Sequence, residues 1–557
     1  MLNFIIGRNN SGKTEKIRAL IAERASENKK CILIVPEQFS FESERSILEK
    51  IGAQKMLNVD ILSFTRLAFV INEQYGKALN KTIDDGTRKV LMSLSLEALS
   101  GKLEYFKRFS SKPALLSNLL TFVTELKQCA VTPDEIAEIS GKTGNKSLGK
   151  KLSELSLIAA SYDALVSRSF FDDENLLTIA ADMISETDFF DGKAVYFDAF
   201  CGFTKQERNC IKSILPKAEN VFISLCTDRD LSREGVSVFE NVNSEFSHLK
   251  ECAAEQNVGV SSPEILNVKE DGRSPELVYL EKYLCGEEFK PYKEECDNIV
   301  VCAAGNRADE ADFVACEIKK LLRCNPTLRC RNIAVIERTA GTYDKELSES
   351  FKKYGVPMFE DKRRPIGVQP VMVFVKCLLA LCAEGFSTES FMRLLKTGLT
   401  ALSGDEISEL ENYAFLWNID GSKWRRDFTE NPDGLGFDVT EKSQEKLIRL
   451  NDIRKRSVLP VLAFKKDFEE ADGEKKSRLI YEFLIKNGVT ERLREKIEYL
   501  VSSGDTVLCE EQDTVWATLM DMLGKMASAI GETVITAKRY SELFNILLSA
   551  VTLGSLP

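Results

Sequence analysis

A phosphate-binding loop is predicted near the N-terminus, where an apolar run over residues 1–6 precedes the pattern G-x-x-x-x-G-K-T. The eight residues of this pattern are Gly7, Arg8, Asn9, Asn10, Ser11, Gly12, Lys13 and Thr14. Glycines let the backbone curl until its N–H groups face phosphate oxygens, and a following helix adds partial positive charge. Lys13 is expected to reach the β- and γ-phosphates of ATP, and the Thr14 hydroxyl to bind Mg²⁺. The alternative is a glycine turn before an ordinary helix.

An acidic residue at the end of a neighbouring strand would complete an ATP–Mg²⁺ site. Asp198 follows the apolar run 194–197 and is the candidate metal ligand, with helix capping as the alternative role. Hydrolysis also needs a group that orients the attacking water, yet the next residue is Ala199 rather than a glutamate. Gln206 could contact phosphate or water, as could the polar residues at 37–38. These residues therefore predict nucleotide binding more strongly than fast hydrolysis.

The elements that must position these residues alternate between strand and helix, which predicts an α/β fold with a parallel sheet. Apolar runs that are typical of strands lie at 2–6, 31–35, 59–64, 194–198, 221–225, 299–303, 333–336 and 357–359. Leucine-rich helical patterns fill the long intervals instead. The prediction is a first α/β domain over 1–80 and 190–295 with a helical insertion over 81–189. An incomplete second α/β domain over 296–385 is followed by a second helical insertion over 386–557.

Composition excludes several classes of function. The single histidine, His248, rules out histidine-rich metal sites, and the 15 cysteines form no C-x-x-C pair, so buried thiols in a reducing, cytoplasmic compartment are expected. No signal peptide is visible, and the apolar stretch 371–383 is too short to span a bilayer, so it is interpreted as a buried helix and no membrane is expected. A net charge of −11 leaves room for a local basic groove.

Three motifs together resemble the B subunit of the bacterial AddAB helicase–nuclease, a superfamily-one helicase-like family. They are Val35-Pro36-Glu37-Gln38-Phe39-Ser40, Ile61-Leu62-Ser63-Phe64-Thr65-Arg66-Leu67-Ala68 and Phe197-Asp198-Ala199-Phe200-Cys201-Gly202-Phe203-Thr204-Lys205-Gln206-Glu207. The segments Ile333-Ala334-Val335-Ile336-Glu337-Arg338 and Gly355-Val356-Pro357-Met358-Phe359 resemble its second motor-like domain. The resemblance covers essentially the whole chain.

The resemblance implies two RecA-like P-loop domains, each interrupted by a helical insertion. It also implies a C-terminal nuclease domain with a cysteine-ligated 4Fe-4S cluster and its own Mg²⁺. No nuclease motif precedes Pro557, so we expect an N-terminal fragment, and we assign none of its cysteines to the cluster and no catalytic residue to it. Family members act with an A-subunit helicase in processing double-strand breaks for homologous recombination, and they recognise Chi in single-stranded DNA.

Candidate DNA contacts lie at a strand-to-helix turn formed by Ser63, Phe64, Thr65 and Arg66. Hydroxyls and N–H groups there could hold phosphate, and Phe64 could stack on a base or be a core aromatic. Short basic clusters occur at 362–365 and 423–426, although a solvated surface is the alternative for each.

The working hypothesis is a helicase-like, non-motor subunit that binds ATP–Mg²⁺ and single-stranded DNA. An active ATP-driven DNA motor is the second hypothesis, and Ala199 argues against it. The third is a structural partner that keeps the loop without nucleotide.

Overall fold

The computed structural model describes residues 1–76, 83–107, 112–169, 173–228, 238–267, 273–284, 290–360, 364–504 and 506–553. The strands are β1 (Leu2–Gly7), β2 (Cys31–Ile34), β3 (Val59–Leu62), β4 (Ala194–Phe197), β5 (Asn220–Cys226), β6 (Glu264–Ile265), β7 (Arg364–Pro365) and β8 (Thr552–Leu553). The α-helices of the first half are α1 (Lys13–Ser26), α2 (Ser40–Ile51), α3 (Ala53–Met56), α4 (Phe64–Tyr75), α5 (Asp85–Ala98), α6 (Pro113–Gln128), α7 (Pro133–Lys142), α8 (Lys146–Ser169), α9 (Asp173–Glu186), α10 (Lys205–Ile214), α11 (Glu240–Glu255) and α12 (Pro275–Leu284). Those of the second half are α13 (Arg307–Cys324), α14 (Asp344–Tyr354), α15 (Pro370–Ala383), α16 (Thr388–Leu395), α17 (Gly404–Leu416), α18 (Glu441–Glu470), α19 (Gly473–Lys486), α20 (Val489–Ser502), α21 (Thr506–Ile530) and α22 (Ala537–Ala550).

A six-stranded parallel sheet organises the first half of the chain, in the order β3-β2-β4-β5-β1-β6. The predicted α/β class is therefore confirmed. The inner strands are buried on both faces, which is why they are continuous apolar runs rather than alternating ones. One face carries a core around Ile17 and Ile21 of α1, and the other a core around Leu67 and Ile71 of α4. The carboxyl ends of β1, β4 and β5 thus meet at one edge of the sheet.

Helices α5 to α9 interrupt this sheet between β3 and β4, as predicted for an insertion. Several of them share one apolar core with α15 to α22 from the second half of the chain. Polar contacts support this union: Lys525 donates to Asp84 over 2.7 Å, and Arg539 pairs with Glu97 over 2.8 Å. The two predicted helical insertions therefore form a single helical body.

The region 299–360 differs from the prediction. Helices α13 and α14 form there and pack around Ala315, Ile318 and Phe351. In this described range, however, the apolar segments 299–303, 333–336 and 357–359 pair with no neighbouring strand. A strand needs a partner for its N–H and C=O groups, and apolar composition alone does not supply one. Val301 is 92% exposed and Ile336 is 89% exposed, so these segments lie outside the described cores.

The ends of the second helical segment meet in space. β7 pairs with β8 in antiparallel fashion, with Arg364 opposite Leu553, so the helices between them leave and return at one point. The stretch 371–383 is the buried helix that was predicted, α15. It packs against α16 and α22, so the predicted boundary at 385/386 falls one helix too late. Among the described helices, none has the length and apolar character required to cross a bilayer.

Candidate nucleotide-binding site

The phosphate-loop pattern lies between β1 and α1, where the sequence placed it. Gly12 adopts a left-handed φ of 88° and Asn10 one of 58°, conformations that glycine and asparagine tolerate best. Gly7 is needed for a different reason. A Cβ there would lie 2.4 Å from Ser11 Oγ and 2.7 Å from the Leu266 carbonyl oxygen. The loop is therefore curled too tightly at this point for any side chain.

The Lys13 ammonium is folded back over the loop. Its Nζ donates to the carbonyl oxygens of Gly7 and Arg8, each over 2.8 Å, and lies 3.5 Å from Ser11 Oγ. These carbonyls hold the ammonium at the centre of the curl. An anionic phosphate is a stronger acceptor for it than a neutral carbonyl, so the lysine is poised to exchange partners.

A cavity of about 310 Å³ opens beside the loop, at the carboxyl ends of β1, β4 and β5. Its lining residues are Asn9, Asn10, Ser11, Gly12, Lys13, Thr14, Glu15, Asp198, Ala199, Phe200, Cys201, Ser224 and Cys226. The structure thus brings six of the eight predicted loop residues together with Asp198. Open parallel sheets commonly bind ligands at such an edge. A hydroxyl from Thr14 and a carboxylate from Asp198 are the oxygen donors that suit Mg²⁺.

Asp198 is buried, 5% exposed, and its Oδ1 accepts a hydrogen bond of 2.5 Å from Ser224 Oγ. Ser224 was missed by the sequence reasoning, although a serine inside the otherwise apolar strand β5 is a usable signal. Ala199 follows with a φ of 65°, so the backbone turns sharply here. Among the described residues that line the cavity, the carboxylates are Asp198 and Glu15.

Arg8 behaves differently from the other loop residues. Its guanidinium makes a two-pronged contact with the Asp228 carboxylate, at 2.7 and 3.1 Å. It also donates to the carbonyl oxygens of Glu281 and Lys282 in α12. The prediction of a nucleotide contact from this side chain is not supported, because the side chain binds these later segments and does not line the cavity.

Gln206 is also placed elsewhere. Its side-chain amide donates to the Glu174 carbonyl oxygen over 2.9 Å and to Thr178 Oγ1 over 2.8 Å. It therefore fastens α10 to α9 rather than facing the loop. The capping box of α10 lies beside it: Glu207 accepts from the Thr204 N–H, and burial raises the pKa of Glu207.

The predicted DNA turn is partly structural. Ser63 caps α4 by accepting from the Arg66 N–H over 3.1 Å, and its hydroxyl donates to Glu37 over 2.8 Å. Thr65 is exposed. The Arg66 side chain is 61% exposed and lies 3.5 Å from Glu44. The side chains of Thr65 and Arg66 are the parts of the turn that a DNA backbone could contact.

Phe64 is a core aromatic, 6% exposed, so the structure does not leave it open for stacking on a base. Its ring contacts those of Phe197, Phe200 and Phe203 at centroid distances of 5.5 to 6.0 Å. Phe200 also lines the cavity beside the loop. An aromatic cluster thus joins the predicted DNA turn to the predicted nucleotide site.

The two basic clusters offer less. Lys362 and Arg363 lie outside the described residues. In the other cluster Trp424 is fully buried against Phe391 and Phe428, so it serves the helical core. Within the described ranges, no group of three or more His, Cys, Asp or Glu side chains is arranged to hold a metal ion.

Comparison with known proteins places these features in a family. Residues 4–281 match the family model described as "ADDB, N-terminal". The whole chain aligns at 29% identity with the B subunit of the ATP-dependent helicase/deoxyribonuclease of Acetivibrio thermocellus, covering 49% of that protein. It aligns at 29% with the protein of the same name from Thermoanaerobacter sp. and at 28% with that from Clostridioides difficile, again covering 49% of each. The chain spans about half the length of these relatives.

Proposed function

The chain belongs to the AddB family, with residues 4–281 as its N-terminal domain, and from that premise we propose that it is the helicase-like part of a DNA-processing enzyme's B subunit. In this role it binds ATP–Mg²⁺ and single-stranded DNA without acting as a motor. The proposal extends to a superfamily-one architecture with RecA-like domains.

One observation carries the nucleotide part of the proposal. The complete loop, its lysine and threonine, and a buried aspartate from a different strand all line one cavity. Lys13 would exchange two backbone carbonyls for phosphate oxygens, and the loop N–H groups would add neutral donors. Thr14 and Asp198 would hold Mg²⁺, which supplies charge neutralisation to the phosphates.

Weak or absent hydrolysis is inferred from the same cavity. Water attack needs a positioned group that orients the nucleophile. Asp198 is already committed to Ser224 and the predicted metal, and Ala199 offers no polar atom in its side chain. Glu37 is bound to Ser63 at the neighbouring turn. An active motor would require DNA-stimulated ATP turnover that Lys13→Ala abolishes, and that result would replace our proposal.

Single-stranded DNA binding is proposed for the surface at Thr65 and Arg66. Contacts to phosphate release counterions, so affinity should fall steeply with salt. Arg66→Gln is expected to weaken binding and to reduce the salt slope by about 0.7, the value for one phosphate contact on a single strand. Arg45→Gln is the matched control, because Arg45 is an exposed arginine that pairs with Glu49 on the same helix. Equal salt slopes for Arg66→Gln and the control would exclude this surface.

The wider assignment follows the relatives, whose names describe an ATP-dependent helicase/deoxyribonuclease. We propose that the chain pairs with an AddA-like helicase/nuclease subunit and takes part in the repair of double-strand breaks and in Chi recognition. Nuclease activity, its Mg²⁺ and a 4Fe-4S cluster are assigned to the half of the relatives that this chain does not span. Co-purification of an AddA-like subunit with the chain tests the partnership, and failure of the two to associate would count against it.

A further inference from the structure

Arg8 joins the phosphate loop to three later segments of the chain. Its guanidinium pairs with Asp228 after β5, lies 5.5 Å from the Phe239 ring before α11, and donates to two carbonyl oxygens near the end of α12. The side chain is only 17% exposed. Planar guanidinium groups bind a carboxylate in this two-pronged way with fixed geometry. The position of Arg8 and the position of α12 are therefore mechanically linked.

The other end of α12 is tied to the region that follows it. Glu276 lies in the first turn of α12 and is 7% exposed. Its Oε1 accepts from the Asp297 N–H over 3.3 Å and from Asn298 Nδ2 over 3.0 Å. Residues 297–298 lead directly into the region 299–360. A continuous set of contacts thus runs from the loop through α12 to the start of that region.

Lys13 connects this set to the proposed nucleotide. Its ammonium donates to the carbonyl oxygens of Gly7 and Arg8, so the backbone of Arg8 is held by the same group that would bind phosphate. Transfer of the ammonium to phosphate removes that bond and frees the backbone that carries the guanidinium. The contacts between Arg8 and α12 are then no longer held in register.

We propose that Arg8 is a positioning residue that transmits occupancy of the loop to α12 and to the segment after it. This inference rests on the proposed function, because it requires a nucleotide at the loop. It assigns to Arg8 a coupling role in place of a nucleotide contact. A ligand can shift such an arrangement only if it contacts the two states differently, and the Lys13 bonds provide that difference.

Amide hydrogen exchange over α12, with and without saturating ATP–Mg²⁺, tests the inference. In the wild-type chain, nucleotide is expected to speed exchange at the last turn of α12 by at least about twofold, because the Arg8 bonds there weaken. Arg8→Gln is expected to speed exchange about tenfold without nucleotide, since hydrogen bonds from a charged donor are lost, and to show no further response. Asp228→Asn removes the same pair from the other side and should also lose the response.

Arg24→Gln is the matched control. Arg24 is a similarly buried arginine of the same domain that pairs with Glu219 away from α12, and its variant should keep the nucleotide response. Absence of saturable binding to the wild-type chain would overturn the proposed function, and this inference with it. Saturable binding with unchanged or slower exchange in α12 would overturn the inference alone. So would an undiminished response in both Arg8→Gln and Asp228→Asn.

Discussion

Gly7→Ala is the substitution that the loop geometry constrains most sharply. The added Cβ would lie 2.7 Å from the Leu266 carbonyl oxygen and 2.4 Å from Ser11 Oγ. The serine side chain can rotate away. The carbonyl cannot move alone, because the Leu266 N–H is bonded to Ile6 of β1 over 2.8 Å. Either the loop or the β6 edge of the sheet must shift.

Overpacking of this kind typically costs about 1–3 kcal/mol. Because the contact with Leu266 is to backbone, we expect about 2 kcal/mol, which corresponds to roughly a 30-fold change in a local opening equilibrium. Hydrogen exchange of the amides in β1 reads this equilibrium directly. A displaced loop should also present its N–H groups less well, so ATP affinity should fall in parallel.

Gly202→Ala is the matched control, since a Cβ at Gly202 would meet no atom within 4 Å and Gly202 lies in the segment after β4. We expect it to change exchange in β1 by no more than about twofold, as for other open surface sites. If Gly7→Ala exchanged as slowly in β1 as Gly202→Ala and bound ATP equally well, the close packing of the loop would be refuted.

Three further predictions concern the cores. Gly86→Ala should destabilise the helical body by about 1–3 kcal/mol in chemical denaturation, because its Cβ would lie 2.5 Å from Leu547 Cδ1; an unchanged midpoint would mean that α5 and α22 are not packed so closely. Burial alone would raise the pKa of Asp84, but hydrogen bonds, with that from Lys525 the strongest, lower it below 3.8. The resulting stabilisation is present above about pH 4 and is lost as the pH falls through the lower folded-state pKa, so melting temperatures measured from pH 6 to 3 should fall less in Asp84→Asn. Phe64→Ala should cost about 3–5 kcal/mol of unfolding free energy, as for a core aromatic, whereas a loss below about 1 kcal/mol would restore it as a candidate for stacking.

Local rules succeeded where the chain specifies its own neighbours. The strand–loop–helix context of Gly7 to Thr14 depends on residues that are adjacent in sequence, and it formed as predicted. Asp198 reached the same cavity because parallel strands end at a common edge. Apolar runs buried on both faces identified β1 to β5 for the same reason.

Local rules failed where a long-range partner decides the outcome. The side chains of Arg8 and Gln206 have chemistry that suits phosphate, but Asp228 and Thr178, distant in sequence, are their hydrogen-bond partners. Phe64 had equal claims to stacking and burial until Phe200 and Phe203 surrounded it. The segments 299–303, 333–336 and 357–359 have strand composition without paired neighbours, a condition that composition cannot reveal.

Titration of the purified chain with a fluorescent ATP analogue is the most direct test of the central claim that the loop is a nucleotide site. The account predicts saturable, Mg²⁺-dependent binding that Lys13→Ala weakens at least about tenfold, the effect of losing a charge-assisted hydrogen bond. Lys16→Ala, one turn along α1 and paired with Glu264, should bind as the wild type does. Absence of saturable binding, or equal binding by Lys13→Ala and Lys16→Ala, would contradict the account.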